Sequence, residues 1–163
     1  MTWKQHVLVV ANVTASSPEL LNVLRRRAEG APTTIHLVVP AAPLGQGREM
    51  AAHSLEEALA ELRSAGLEAD GVVGHEDPFV AVTDVWDPLS YDEIIISTLP
   101  IGVSRWLHAG LPERIGRVTG ALVTHVVAQP PSHELEASPA PPHEDRGILS
   151  PLYVLGWSPA KRA

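Results

Sequence analysis

Five short apolar runs, separated by four segments of helical periodicity, constrain this chain more than any other feature. Residues 7–11 are continuously apolar, as expected for a central parallel strand buried on both faces. Residues 35–39, 94–96 and 122–128 repeat the pattern, and a weaker run over 68–73 carries Asp70 and Gly71, which suit a sheet edge. In the first helical segment Ser17 is a candidate N-cap and Pro18 sits at the first helical position. Leu20, Leu21, Leu24 and Ala28 share one face there, and Gly30 marks the end. After a Pro-, Gly- and Ala-rich loop over 40–50, the second is expected to open on a capping box from Ser54 to Glu57. It carries Leu55, Ala58, Leu59 and Leu62 at helical spacing and stops at Gly66. Asp77-Pro78 and Asp87-Pro88 bracket the third, with Phe79, Val82, Thr83 and Trp86 as its inner face. The fourth is expected to begin near Ser104 and to run Leu107, Leu111, Ile115 and Val118 along one side.

Strand and helix in strict alternation mean right-handed crossovers and helices on both faces of a parallel sheet. The expected class is α/β, a doubly wound five-stranded parallel sheet of order 3-2-1-4-5, Rossmann-like. Ligands in such folds bind outside the carboxyl ends of the strands, where the strand order reverses. If the order is 3-2-1-4-5, that crevice lies between the ends of strands one and four, walled by residues 11–14 and 97–104.

A chain of 163 residues suits one domain plus an appendage. The expected division is an α/β domain over 1–128, followed over 129–163 by a Pro-rich linker and an apolar docking segment, residues 147–157. That segment is expected to dock on its own domain, on a second copy or on another protein. The net charge of −7 argues against a nucleic-acid or anionic-membrane surface. Arg25, Arg26 and Arg27, the only basic run, fall late in the first helix and read as a solvated helix end. Without cysteine there are no disulfides, thiolate chemistry or Cys-type zinc sites. No apolar run reaches the roughly 20 residues of a membrane span. The first residues lack the apolar length and cleavage site of a signal peptide, and a cytoplasmic protein is expected.

Catalytic motifs are missing. There is no G-x-S-x-G elbow, no P-loop and no G-x-G-x-x-G fingerprint. A response-regulator receiver would need acidic residues where Ala11-Asn12 and Gly74-His75 stand, and a lysine where Ala128-Gln129 stands. His36 and His125 fall within strands and read as structural. His75-Glu76-Asp77 lacks a second ligand pair, and Glu57 and Glu61 read as solvated surface. No catalytic residue and no metal site is expected, and the chain is not expected to be an enzyme.

The stretch after strand four runs Ser97-x2-Pro100-x9-Gly110-Leu111. With the five-strand alternation, this spacing resembles the universal stress protein family, in its divergent members common in actinobacteria, over about residues 5–128. Nucleotide-binding members have G-x2-G-x9-G-[S/T] there, the glycines letting the backbone approach phosphates. Only Gly110 matches. Ser97 and Pro100 replace the first two glycines, Leu111 replaces the hydroxyl residue, and Pro100 has no N–H to donate. Asn12 stands where ATP binders of the family place an aspartate, and Val39 is positioned to wall a base. The resemblance implies a Rossmann-like universal stress fold, a homodimer formed through strand five, and a non-catalytic stress-response or regulatory scaffold with ATP binding lost and no cofactor. The alternative is a sensor binding ATP, AMP or another small anion in the crevice. Backbone N–H groups of Gly102, Val103 and Ser104 and the cation of Arg105 would then serve it. In the scaffold reading Ser104 is a plain N-cap, Arg105 faces solvent and Trp106 anchors the helix by packing.

Overall fold

The computed structural model describes residues 3–43 and 45–129. The apolar runs become β1 (Gln5–Val10), β2 (Thr33–Pro40), β3 (Glu68–Gly74), β4 (Glu93–Thr98) and β5 (Leu122–Val127). All pair in parallel, in the order β3-β2-β1-β4-β5. The two-residue period of the strands divides the core. Val7, Val9, Ile35, Leu37 and Ile95 face α1 (Pro18–Gly30) and α2 (Gly47–Ser64), meeting Leu20, Leu24, Leu55, Leu59 and Leu62. Leu8, Val10, Val38, Ile94 and Ile96 face the opposite layer, α3 (Pro78–Val85) and α5 (Leu111–Thr119), meeting Val82, Leu111 and Ile115. Each fully buried Leu or Ile stabilises the fold by about 1.5–3 kcal/mol.

α1 follows the expectation: the Ser17 hydroxyl accepts from the Leu20 amide at 3.2 Å, with Pro18 in the first turn. α2 does not begin at the capping box. It starts at Gly47, about two turns earlier, so Ser54 lies inside it. Ala51 extends the buried stripe of Leu55, Ala58 and Leu62 by one turn, and the residues around it are strong helix formers. The N-cap, Gln46, makes no side-chain cap bond. Gly66 does close the helix, at φ +81°, donating to the Arg63 carbonyl while Leu67 donates to that of Leu62. In α3 the Asp77 carboxylate caps the Phe79 amide at 2.8 Å. Its buried face is Ala81 and Val82, with Phe79 and Trp86 packed beside the core and Thr83 half-buried.

The single fourth helix expected from Ser104 is two. α4 (Arg105–His108) is one turn long, and α5 starts afresh after Gly110. Pro112 would clash with the carbonyl of residue 108 in a continuous helix and has no N–H to give it. Gly110 takes up the break at φ 61°, ψ 38°, a left-handed conformation open to glycine. α5 buries Leu111, Pro112 and Ile115 and leaves Val118 exposed, against the expectation for that position.

Arg25 and Arg26 are exposed, but Arg27 is not a solvated helix end. Its guanidinium grips the Glu93 carboxylate with two bonds, of 2.7 and 3.0 Å. Glu93 is 1% exposed and also accepts from the Thr124 hydroxyl. The Glu93 hydrogen bond raises the Arg27 pKa further above its ordinary value. One buried carboxylate thus ties α1, β4 and β5 together. Among the described residues no helix is long and apolar enough to cross a membrane. Residues 130–163, including the apolar segment 147–157, lie outside the described residues.

Candidate functional site

At the carboxyl ends of the strands, β1 and β4 are neighbours whose following chains leave for opposite faces of the sheet. The gap between them is a cavity of about 230 Å³, walled by residues 12–14, residues 97–99 and residues 103–106. This is the crevice expected from strand order. Its two walls are tied by a buried hydrogen bond in which the Thr14 hydroxyl donates to the Ser97 carbonyl at 3.0 Å.

The turn after β4 decides what the crevice can hold. The Pro100 carbonyl accepts from the amides of both Val103 and Ser104, at 2.9 and 3.0 Å. Two of the three amides expected to face an anion are therefore spent inside the turn. Pro100 itself has no N–H. The Ser104 hydroxyl accepts from the Leu107 amide at 3.4 Å, an N-cap role. α4 has four residues, so few aligned peptide dipoles stand behind that end. Polar groups that remain include the Ser97 hydroxyl, 1% exposed and without a hydrogen-bond partner, the Asn12 side chain and the exposed guanidinium of Arg105.

Asn12, Ser97, Ser104 and Arg105 are brought together around this one cavity. Asn12, Arg105 and Leu111 also border a neighbouring hollow of about 500 Å³, walled by residues 40–43, residues 76–78 and Arg114. Val39 is fully buried in the core and faces neither space, so an apolar wall beside the hollow comes from Pro40 and Pro43 instead. Gly102 lies on the exposed outside of the turn, and Gly110 serves as the hinge between α4 and α5. Trp106 packs against the core and also lines both spaces. Thr14 and Thr98 are site residues that motif spacing did not single out. Thr98 is the last residue of β4, and Thr14 follows the end of β1 by four residues.

Thr98 stands beside His125, its Oγ1 2.7 Å from Nε2. Since Thr98 donates to the Leu99 carbonyl at 2.9 Å, His125 is the donor toward Thr98. That arrangement braces β5 against β4. His36 pairs with Asp70 across β2 and β3 at 2.6 Å, and His75 accepts from the Asp77 amide. No group of three metal-ligating side chains occurs among the described residues.

No protein-family model matches the chain, and no curated protein matches it. Solved structures do. A universal stress protein in complex with cAMP is 21% identical, with a TM-score of 0.51 covering 78% of this chain and 99% of that one. The universal stress protein of Archaeoglobus fulgidus in complex with dAMP is 15% identical, with a TM-score of 0.56 over 77% and 99% of the two chains. A universal stress protein family protein of Arabidopsis thaliana with AMP bound is 12% identical, with a TM-score of 0.54 over 80% and 94%. Identities this low speak to architecture alone, and on that point strand order, parallel pairing and helical layers agree: the chain has the fold of the universal stress proteins.

Proposed function

We propose that this chain is a non-catalytic universal-stress-type protein that works as a dimeric regulatory scaffold of the stress response and has lost ATP binding. The observation that carries the reading is the Pro100 carbonyl, which takes the amides of Val103 and Ser104. A triphosphate needs several convergent donors to replace its hydration, and these two amides are already paired within the turn. The dimer is proposed through β5, an edge strand whose Leu122 and Val127 are exposed.

A second reading is supported by the unpaired Ser97 hydroxyl beside Arg105 and by neighbours that hold cAMP, dAMP and AMP. It makes the crevice a sensor site for a small adenine nucleotide or another small anion. Thermal-shift measurements with ATP, AMP and cAMP separate the two. A ligand at 100 times its Kd adds about 2.7 kcal/mol, which is roughly 5–10 °C for a chain of this size. The scaffold reading expects no shift with any of them. A shift with AMP or cAMP alone selects the sensor, and a shift with ATP overturns the loss of ATP binding.

A further inference from the structure

The hollow beside the crevice carries charges of both signs that do not meet. Its volume, about 500 Å³, falls in the range of small-molecule sites. Arg105 from α4 and Arg114 from α5 line it, and so do Glu76 and Asp77 from the corner between β3 and α3. All four residues are exposed, and among the described residues none of them takes part in an ion pair. Asp77 uses one carboxylate oxygen to cap α3, and the Arg114 guanidinium lies over the Phe79 ring, 4.5 Å from its centroid.

Strand order keeps the two signs apart. The carboxylates follow the end of β3, and Arg105 follows β4 beyond its turn. Those strand ends stand about 14 Å from each other, with β2 and β1 between them. Pro40, Pro43, Trp106 and Leu111 line the same hollow and give its body an apolar character. A phosphate-bearing ligand would bring its negative charge beside Glu76 and Asp77, and a simple cation would meet Arg105 and Arg114; like charges so placed repel. One molecule answers both ends if it carries an ammonium, an apolar body and a carboxylate.

We infer that this hollow binds a short peptide with free termini and apolar side chains. Its ammonium lies toward Glu76 and Asp77, and its carboxylate toward Arg105 and Arg114. An extended dipeptide sets its terminal charges about 7 Å apart, which suits a hollow divided in this way. The planar guanidinium fork is matched to a carboxylate, since it donates two parallel bonds. The inference holds under either reading of the crevice, because it uses neither the amides of the turn nor the Ser97 hydroxyl.

Titration of the dipeptide Leu-Leu into the full chain, followed by nuclear magnetic resonance, tests it. Saturable amide shifts should appear at Ala42 and Ala109, which line the hollow and not the crevice. They should be absent at Val103, which lines the crevice and not the hollow. N-acetyl-Leu-Leu and Leu-Leu amide, each lacking one charge, should bind about tenfold more weakly. Glu76→Gln should weaken Leu-Leu by about the same factor and leave N-acetyl-Leu-Leu unchanged. Arg105→Gln should weaken Leu-Leu equally and leave Leu-Leu amide unchanged. Both residues are exposed, so both variants should melt with the parent. No saturable shift at Ala42 and Ala109, shifts centred on Val103, or equal affinity for free and blocked dipeptides would overturn the proposal. So would a variant that weakens free and blocked dipeptides alike. None of these results bears on ATP, which is tested separately at the Pro100 turn.

Discussion

Two residues carry most of the consequence. Pro100 gives the crevice its character through a missing donor and an acceptor that gathers the turn's own amides. Half of that was legible in the sequence, because a proline cannot donate wherever it stands. The destination of its carbonyl was not, since a backbone acceptor has no sequence signature. Glu93 is the second. A lone glutamate opening an apolar strand gave no hint of a bidentate grip by Arg27, one of three arginines whose register on the helix alone singles it out. Arg27→Met leaves the carboxylate buried without its cation. Breaking a buried pair costs 3–5 kcal/mol, and the part-exposed guanidinium brings the expected loss to about 2 kcal/mol. Urea unfolding measures it, and a change within error would show that the grip contributes nothing. Tyr91 contributes to stability on the alkaline side. Partial burial, then Asp70 and Asp87, raise its pKa above the ordinary 10.0. The folded state holds that proton more tightly than the unfolded chain, so the contribution is complete below pH 10 and is lost as pH rises through the raised value. Stability curves should fall above pH 10 in the parent and fall less in Tyr91→Phe; superimposable curves would refute the assignment.

Elements were legible wherever strong punctuation met strong periodicity. Ser17-Pro18 and Asp77-Pro78 open α1 and α3 as expected, because cap and proline act within one turn. α2 misled because its actual start has no capping side chain, while a good capping pattern sits inside it unused. The α4–α5 break was written as Gly110-Leu111-Pro112, but the apolar spacing of Leu107, Leu111 and Ile115 runs across it as though the helix were continuous. Gly110 holds a positive φ there with room for a side chain, so the cost of replacing it is conformational. Gly110→Ala should destabilise by about 1 kcal/mol in chemical denaturation, from the left-handed backbone alone. No loss would mean that the hinge relaxes to ordinary helix.

At the scale of the molecule, alternation of strand and helix gives the doubly wound class, and the strand order found in the structure then places the crevice. Chemistry within the crevice depends on which backbone groups remain unspent, and that emerges only on folding. The exposed β5 edge belongs to this scale too. Leu122→Asp on that edge should shift sedimentation from dimer to monomer while leaving the melting curve of the fold close to the parent's. A monomeric parent would remove the dimer from the account.

Calorimetric titration of ATP into the parent and into Pro100→Gly tests the central claim most directly. Glycine restores the missing donor and lets the turn reopen, so the parent should release no heat of binding while the variant acquires a measurable one. Tight, stoichiometric binding by the parent would contradict the account.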